Sequence, residues 1–317
     1  MNTGSRSTNY RRKRVKLIFN PSSGEAGESP VQLMDVISEM QAWKLIPEAY
    51  LVEPGSDLPT VVQEAFEQGM RMFVVCGGDG TIDAVAGALA GRRATLGIIP
   101  TGTRNNVAIS LGIPADIPAA IAILRTGRRI KLDAGIAACG EIRRPFLEAC
   151  SVGLFSALFP AADDFQHGNL ARLGDFLSTL VASPPAEMHL VLDDKQEIQT
   201  LCHVVLVTNM PYIGPHYQAG SAVSFNEGLL DVLLLADLSK LDLLGYAIQT
   251  AGGGPEDDRI QRYQVRRVDI DTQPAMPVMA DGVALGEGPL RIRVRRHTLA
   301  VMAGETALKA AAPSVQA

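Results

Sequence analysis

The first third of the chain alternates short apolar, β-branched runs with segments whose apolar residues recur every three or four positions. Val15-Lys16-Leu17-Ile18-Phe19, residues 48–52, Phe73-Val74-Val75-Cys76 and Leu96-Gly97-Ile98-Ile99 read as strands. Helices are expected between and after them. They run from Pro30 to Met40, from Thr60 to Gln68 with Val61, Val62, Ala65 and Phe66 on one face, through Ile82, Val85, Ala86 and Leu89, from Val107 to Leu111, and from Ala119 to Leu124. Such alternation, with short connections, predicts an α/β fold: a doubly wound parallel sheet covered on both faces.

Near Lys131-Leu132-Asp133-Ala134-Gly135 the texture changes, because polar and apolar residues now alternate in short runs. Strands are expected at Ile130–Ala137, Pro145–Val152, His189–Leu192, Leu201–Asn209, Leu230–Leu235, Tyr263–Ile270 and Leu290–Arg295. Two helical interruptions fall at about 157–181 and 241–250. This half reads as a mainly antiparallel β-sandwich domain. The expected organisation is a basic tail over 1–13, an α/β domain over 14–132, a β-rich domain over 133–303 and a tail over 304–317.

A length of 317 residues with 47% hydrophobic content suits two domains with substantial cores. The net charge of −5 gives no global field that would favour nucleic acid. Cys76, Cys139, Cys150 and Cys202 stand singly in apolar segments, so a zinc site is not indicated and reduced thiols of a cytoplasmic protein are expected. No apolar run approaches membrane-spanning length, since Leu229–Leu235 is short and broken by Asp231. Arg11-Arg12-Lys13-Arg14 directly precedes the first strand, which argues against a secretory signal. It leaves two readings open, a solvated tail or contact with anionic lipid headgroups.

Two strand ends carry candidate chemistry. The run at 73–76 passes into Gly77-Gly78-Asp79-Gly80-Thr81, whose glycines admit positive φ and leave room for a bound group. Thr81 is a candidate cap for the next helix, whose free N–H groups suit phosphate. Asp79 would repel bare phosphate, so it implies a divalent cation or a donor that it orients. The second loop, Pro100-Thr101-Gly102-Thr103-Arg104-Asn105-Asn106, follows the next strand. Asn20 ends the first strand at the edge where open α/β sheets bind ligands, and equally fits an Asx-turn before Pro21.

Asn20-Pro21-Ser22-Ser23-Gly24, Gly77 to Thr81 and Pro100 to Asn106 together resemble the diacylglycerol kinase catalytic domain family, which includes bacterial lipid kinases and sphingosine and ceramide kinases. That family carries N-P-x-[SA]-G, G-G-D-G-T and P-x-G-T-x-N-D, and Asn106 stands here in place of the final aspartate. The resemblance implies an NAD kinase/diacylglycerol kinase-like fold and an ATP-dependent lipid kinase, with the active site in the cleft between domains and the last residues returning to the first domain. Gly77, Gly78, Gly80 and Thr81 would cradle nucleotide phosphates. Asp79 would orient them or hold Mg²⁺ through water, and Asn20, Thr103 and Asn105 would complete the site. The strand at 48–52 lacks the family's threonine, so no contact is expected there.

In the second domain, Asn209 to Gly214 approaches the family's N-x-x-x-x-G-G segment, with Pro215 at its second glycine, and equally reads as a strand terminator. Phe225 to Val232 resembles D-D-G-x-L-D-V, a loop that holds structural magnesium. The ligands by position would be Glu227 with the backbone oxygens of Ser224 and Leu229; a metal-free turn fits as well. Asp281-Gly282-Val283 resembles D-G-E, in which the aspartate accepts the lipid hydroxyl proton. Val283 replaces the glutamate, and Glu287 is the nearest other carboxylate in sequence. The partners implied are ATP and a lipid met at the membrane surface through peripheral contact, with no nucleic acid. A homodimer is left open. Two rival functions are an NAD kinase, which shares G-G-D-G-T but usually continues with N-x-G-x-L-G-F, and a nucleotide- or lipid-binding homologue without catalysis.

Overall fold

The computed structural model describes residues 10–24, 33–153, 185–211, 226–236, 242 and 259–304. The chain divides into two compact units. One comprises the residues up to Leu132 together with those from His297 onward; the other runs from Asp133 to Arg296. The expected boundary carried the second domain to 303, while the resemblance implied that the last residues return to the first domain. His297–Ala303 belong instead to the first unit, because that stretch of the last strand pairs there.

The first unit is built from β1 (Lys13–Phe19), α1 (Leu33–Ala42), β2 (Leu45–Leu51), α2 (Leu58–Glu67), β3 (Met72–Gly77), α3 (Asp79–Leu89), β4 (Thr95–Pro100), α4 (Asn106–Ser110), α5 (Ile117–Thr126) and the start of β5 (Arg128–Cys139). Strands β2, β1, β3 and β4 lie side by side in parallel, with Ile18 opposite Val75 and Val75 opposite Ile98. β3 and β4 are buried along their whole length, as expected of strands covered on both faces. Val15, Leu17, Phe19, Val74 and Cys76 form one core with Val36 and Met40 of α1 and Ile121 and Leu124 of α5. α2 and α3 pack together, with α3 against β3 and β4. Local chemistry starts the helices: Asp57 accepts from Thr60 N at 3.3 Å at the head of α2, and Asp116 from Ala119 N at 2.9 Å at the head of α5.

The second unit takes the rest of β5, then β6 (Ile142–Phe146), β7 (Ala149–Gly153), β8 (Ala186–Leu192), β9 (Gln196–Cys202), β10 (Val204–Thr208), β11 (Leu230–Leu234), β12 (Gln261–Val265), β13 (Arg267–Gln273), β14 (Pro277–Ala280), β15 (Val283–Glu287) and most of β16 (Leu290–Ala303). β16, β13, β8 and β9 form one antiparallel layer, and β12, β11, β10, β7, β14 and β15 another. Met188, Leu190, Val268 and Ile270 of the first layer share a core with Val205, Val207, Val232 and Val278 of the second. This is the sandwich that the alternating pattern predicted. The last residues of β16 run parallel to β4, pairing Ala300 with Thr95, so the final strand extends the first unit's sheet.

Several expected strands divide in two. Residues 145–152 separate into β6 and β7, 201–209 into the end of β9 and β10, and 263–270 into β12 and β13, since each passes a turn where the chain changes partner. The pattern did not announce β14 and β15. The helices expected at 157–181 and 241–250 lie outside the described residues, apart from Asp242.

Candidate active site

Three strand ends meet at the C-terminal edge of the first unit's sheet. Asn20 follows β1, and its Nδ2 donates to Thr81 Oγ1 at 2.9 Å while its Oδ1 accepts from Ser22 N at 3.0 Å. Asn20 therefore opens the Asx-turn and also reaches the neighbouring loop. Ser23 continues the bridge, with its Oγ donating to Asn20 O at 2.9 Å and lying 2.6 Å from Thr101 Oγ1. Thr81 is not the cap of α3. Gly78 holds that position without a side-chain bond, and the Thr81 hydroxyl is turned to Asn20 inside the first helical turn.

Asp79 was expected to meet either a divalent cation or a donor that it orients, and backbone amides fill the second role. Its carboxylate accepts from Asn106 N at 3.2 Å and Val107 N at 3.4 Å, with Asn105 N also contributing. The acid of the first loop thus satisfies orphan N–H groups at the start of α4, directly after the second loop. Burial pushes its carboxyl above the ordinary value, and these N–H groups and the nearby Arg104 guanidinium pull it back. Asn105 is strained into the left-handed region at φ 53°. It is held there by its own side chain, which accepts from Gly102 N at 2.9 Å and donates to Gly102 O at 2.6 Å.

The glycines divide by function. A Cβ on Gly102 would lie 2.5 Å from Gly78 Cα, so these two let the loops touch. A Cβ on Gly80 would meet nothing within 4 Å. Gly80 and Thr103 are exposed beside the first turn of α3, whereas Gly77 is buried. The loops therefore offer an N-terminal helix turn flanked by hydroxyls and amides, with Arg104 as the nearby cation. Such a surface suits the phosphates of a nucleotide. Sequence reasoning missed Arg104 and the Ser23–Thr101 bridge, although Arg104 is the loop's one cation.

In the second unit, Asp281 and Gly282 form the two-residue turn between β14 and β15, both with positive φ (43° and 74°). The Asp281 carboxylate accepts three backbone N–H groups: Leu147 at 2.6 Å on Oδ2, and Glu148 at 3.0 Å and Ala149 at 2.9 Å on Oδ1. Asn209 grips the same tripeptide, its N–H donating to Glu148 O at 2.9 Å and its Nδ2 to Leu147 O at 2.8 Å and Asp133 O at 3.1 Å. Neither Asp133 nor Leu147–Ala149 stood out in the sequence. Val283 is exposed. Glu287 lies at the far end of the β14–β15 hairpin, about 13 Å along the strand at the usual rise per residue, so it does not replace the missing glutamate beside Asp281.

The turn at 226–229 bears on the magnesium expectation. Glu227 is exposed, and Gly228 N donates to buried Asp133 at 2.6 Å. Ser224 lies outside the described residues, and among the described residues no group of three or more His, Cys, Asp or Glu could hold an ion.

An α/β unit with two apposed glycine loops, followed by an antiparallel sandwich, is the architecture of the diacylglycerol kinase and NAD kinase-like fold. Residues 14–137 match the diacylglycerol kinase catalytic domain, and residues 161–303 match the YegS C-terminal NAD kinase beta sandwich-like domain. Residues 14–137 therefore belong to the diacylglycerol kinase catalytic domain family. It is 25% identical over 308 residues to an uncharacterized Synechocystis protein, covering 90% of this chain and 69% of that one. It is 27% identical over 304 residues to the diacylglycerol kinase of Bacillus subtilis, covering 93% and 98%. A crystal structure of a diacylglycerol kinase from Bacillus anthracis shares the fold at TM-score 0.70 and 20% identity, covering 95% of this chain and 100% of that one. Among the described residues no helix is long and apolar enough to cross a membrane.

Proposed function

We propose that the protein is an ATP-dependent lipid kinase that phosphorylates a hydroxyl of diacylglycerol or a related lipid. The observation that carries this reading is the locked pair of glycine loops. Asp79 and the Gly78–Gly102 contact fix the loops to each other, yet the open side of Gly80 is left for a ligand. Phosphoryl transfer asks the protein chiefly for position and charge neutralisation, which such a surface supplies. Gly77, Gly78, Gly80 and Thr81 would line the phosphates, with Asn20, Thr103 and Asn105 beside them. Asp79 would act by positioning α4, and Arg104 would offset phosphate charge. Mg²⁺ would arrive with the nucleotide as part of the substrate. Asp281 would accept the lipid hydroxyl proton.

One observation favours a second reading. Three N–H donors already stabilise the ionised Asp281 carboxylate, which weakens it as a base, and Val283 brings no second carboxylate. A homologue that binds nucleotide without turnover fits that arrangement. Incubation with radiolabelled Mg-ATP and vesicles containing diacylglycerol, ceramide or sphingosine separates the two. Labelled lipid supports the kinase; nucleotide binding with no label in any lipid supports the binder.

A further inference from the structure

A donor on the carbonyl oxygen of a peptide group makes the N–H of the same group a stronger donor, so hydrogen bonds in a chain reinforce one another. Asn209 and Asp281 stand at the two ends of such chains. β7 lies between β10 and β14, and the two residues reach its start from opposite sides. Asn209 Nδ2 donates to Leu147 O at 2.8 Å, and the N–H of that same peptide group, Glu148 N, donates to Asp281 Oδ1 at 3.0 Å. Asn209 N donates to Glu148 O at 2.9 Å, and the N–H of that group, Ala149 N, donates to the same Oδ1 at 2.9 Å. An extended strand would point these consecutive groups in opposite directions; the bend at residues 147 and 148 turns them the same way. Asn209 is fully buried, and its other Nδ2 hydrogen goes to Asp133 O at 3.1 Å. Its amide cannot flip without setting Oδ1 against two carbonyl oxygens. The third N–H on Asp281, from Leu147, belongs to the peptide group of Phe146 and lies outside both chains.

We propose that Asn209 is a positioning residue for Asp281: through these two peptide groups it aims and strengthens the N–H donors on Oδ1, and so sets how readily the carboxylate takes the proton of the acceptor hydroxyl. The role rests on the kinase reading, in which Asp281 is the base, whereas the relay itself can be observed without turnover. A strand terminator needs only the backbone N–H of Asn209 on Glu148 O; the buried side chain adds the second chain. Both chains stabilise the ionised carboxylate, so loss of one moves its protonation to higher pH. The ionisable groups around Asp281 are Glu148 of the tripeptide, the buried Asp133 whose carbonyl Asn209 holds, and the Cys150 thiol with Cys139 beside it. Burial, and then the charge of Asp281, keep Cys150 protonated, so the carboxyls are the neighbours whose titrations have to be read separately.

Nuclear magnetic resonance of the full chain with carbon-13 in its carboxyls tests the relay, and kcat/KM against pH tests its role. Asn209→Leu removes the side-chain donor and keeps the backbone one. In that variant the Glu148 amide proton should move upfield most, Ala149 less and Leu147 least. The Asp281 carboxyl midpoint and the acid limb of kcat/KM should both rise, by roughly half a pH unit or more. Three amides that move alike mark a loosened turn and overturn the proposal, as do an unmoved midpoint and limb. If Asn209→Leu does not fold, the wild type decides. Its Asn209 N–H and side-chain amide signals should follow the Asp281 midpoint although neither touches that carboxylate, and signals that stay still overturn the relay. A wild type that labels no lipid defeats the kinase reading instead, and the amide pattern alone then decides the relay.

Discussion

The Asp79 carboxylate accepts the backbone N–H of Asn106 at 3.2 Å, so the acid of the first glycine loop holds the helix that follows the second. Asp79→Ala would leave at least two N–H groups at the head of α4 without an acceptor. Hydrogen bonds to a charged group contribute about 1.5–3 kcal/mol, and a loss of about 1–3 kcal/mol is expected in urea unfolding. Asp79→Asn keeps one acceptor and should fall between. An unchanged urea midpoint in Asp79→Ala would remove the positioning role.

The glycines of these loops should respond differently to the same change. Gly102→Ala sets a Cβ 2.5 Å from Gly78 Cα, a backbone clash that separates the loops and should lower the melting temperature. Gly80→Val should leave the melt nearly unchanged, because a Cβ there meets nothing within 4 Å and valine is no poorer than glycine in a helix. It should nevertheless weaken Mg-ATP binding by tenfold or more, because the added methyls occupy the open side of the helix turn. Calorimetric titration showing wild-type affinity in a well-folded Gly80→Val protein would move the nucleotide away from this loop.

The loops show what a sequence can and cannot carry. Gly77–Thr81 and Pro100–Asn106 were legible as strand-to-helix turns because glycine, aspartate and a preceding apolar strand are local signals. Thr81 as a cap was misread, and the donors that meet Asp79 could not be named, for the opposite reason, since their partners, Asn20 and the N–H groups of Asn105 to Val107, come from other segments. The first unit's sheet was read well because fully buried parallel strands appear as continuous apolar runs. In the sandwich, turns too short to break the alternation concealed the divisions between β6 and β7 and between β12 and β13. β14 and β15 were missed because a Pro, a register shift and two glycines interrupt their pattern.

The buried thiols should make stability fall at alkaline pH. Burial pushes Cys76 up to about 12, and the Thr101 hydroxyl pulls it partly back. Cys150 is raised further, by burial first. The unfolded chain loses these protons near pH 8.5 and the folded chain does not. Their contribution is therefore fully present below that pH and is lost as pH rises toward 12. Unfolding free energy from pH 8 to 11 should decline, and Cys76→Ala should flatten the slope. At pH 8 the native protein should expose none of its four cysteines to a thiol reagent.

Asp281 is the residue on which the two functional readings part. Its three N–H bonds tie the β14–β15 turn to Leu147–Ala149, so removing the carboxylate must loosen that turn whatever the protein does. Asp281→Asn keeps one acceptor oxygen but turns an amide toward an N–H donor, and a loss of about 1–3 kcal/mol is expected. If Asp281 is also the base, lipid phosphorylation should fall by about 10²–10⁴-fold at a temperature where the variant is fully folded, with Mg-ATP affinity near normal. A purely structural Asp281 would show the stability loss with turnover retained. Val283→Glu gives the complementary arm. Val283 is 41% exposed, so the new carboxylate is solvated and stability should change by no more than about 0.5 kcal/mol. A rise in turnover would mark the missing second carboxylate as the limit on catalysis. Wild type and Val283→Glu both silent against every lipid, while both still bind Mg-ATP, would sink the kinase reading and leave the binder.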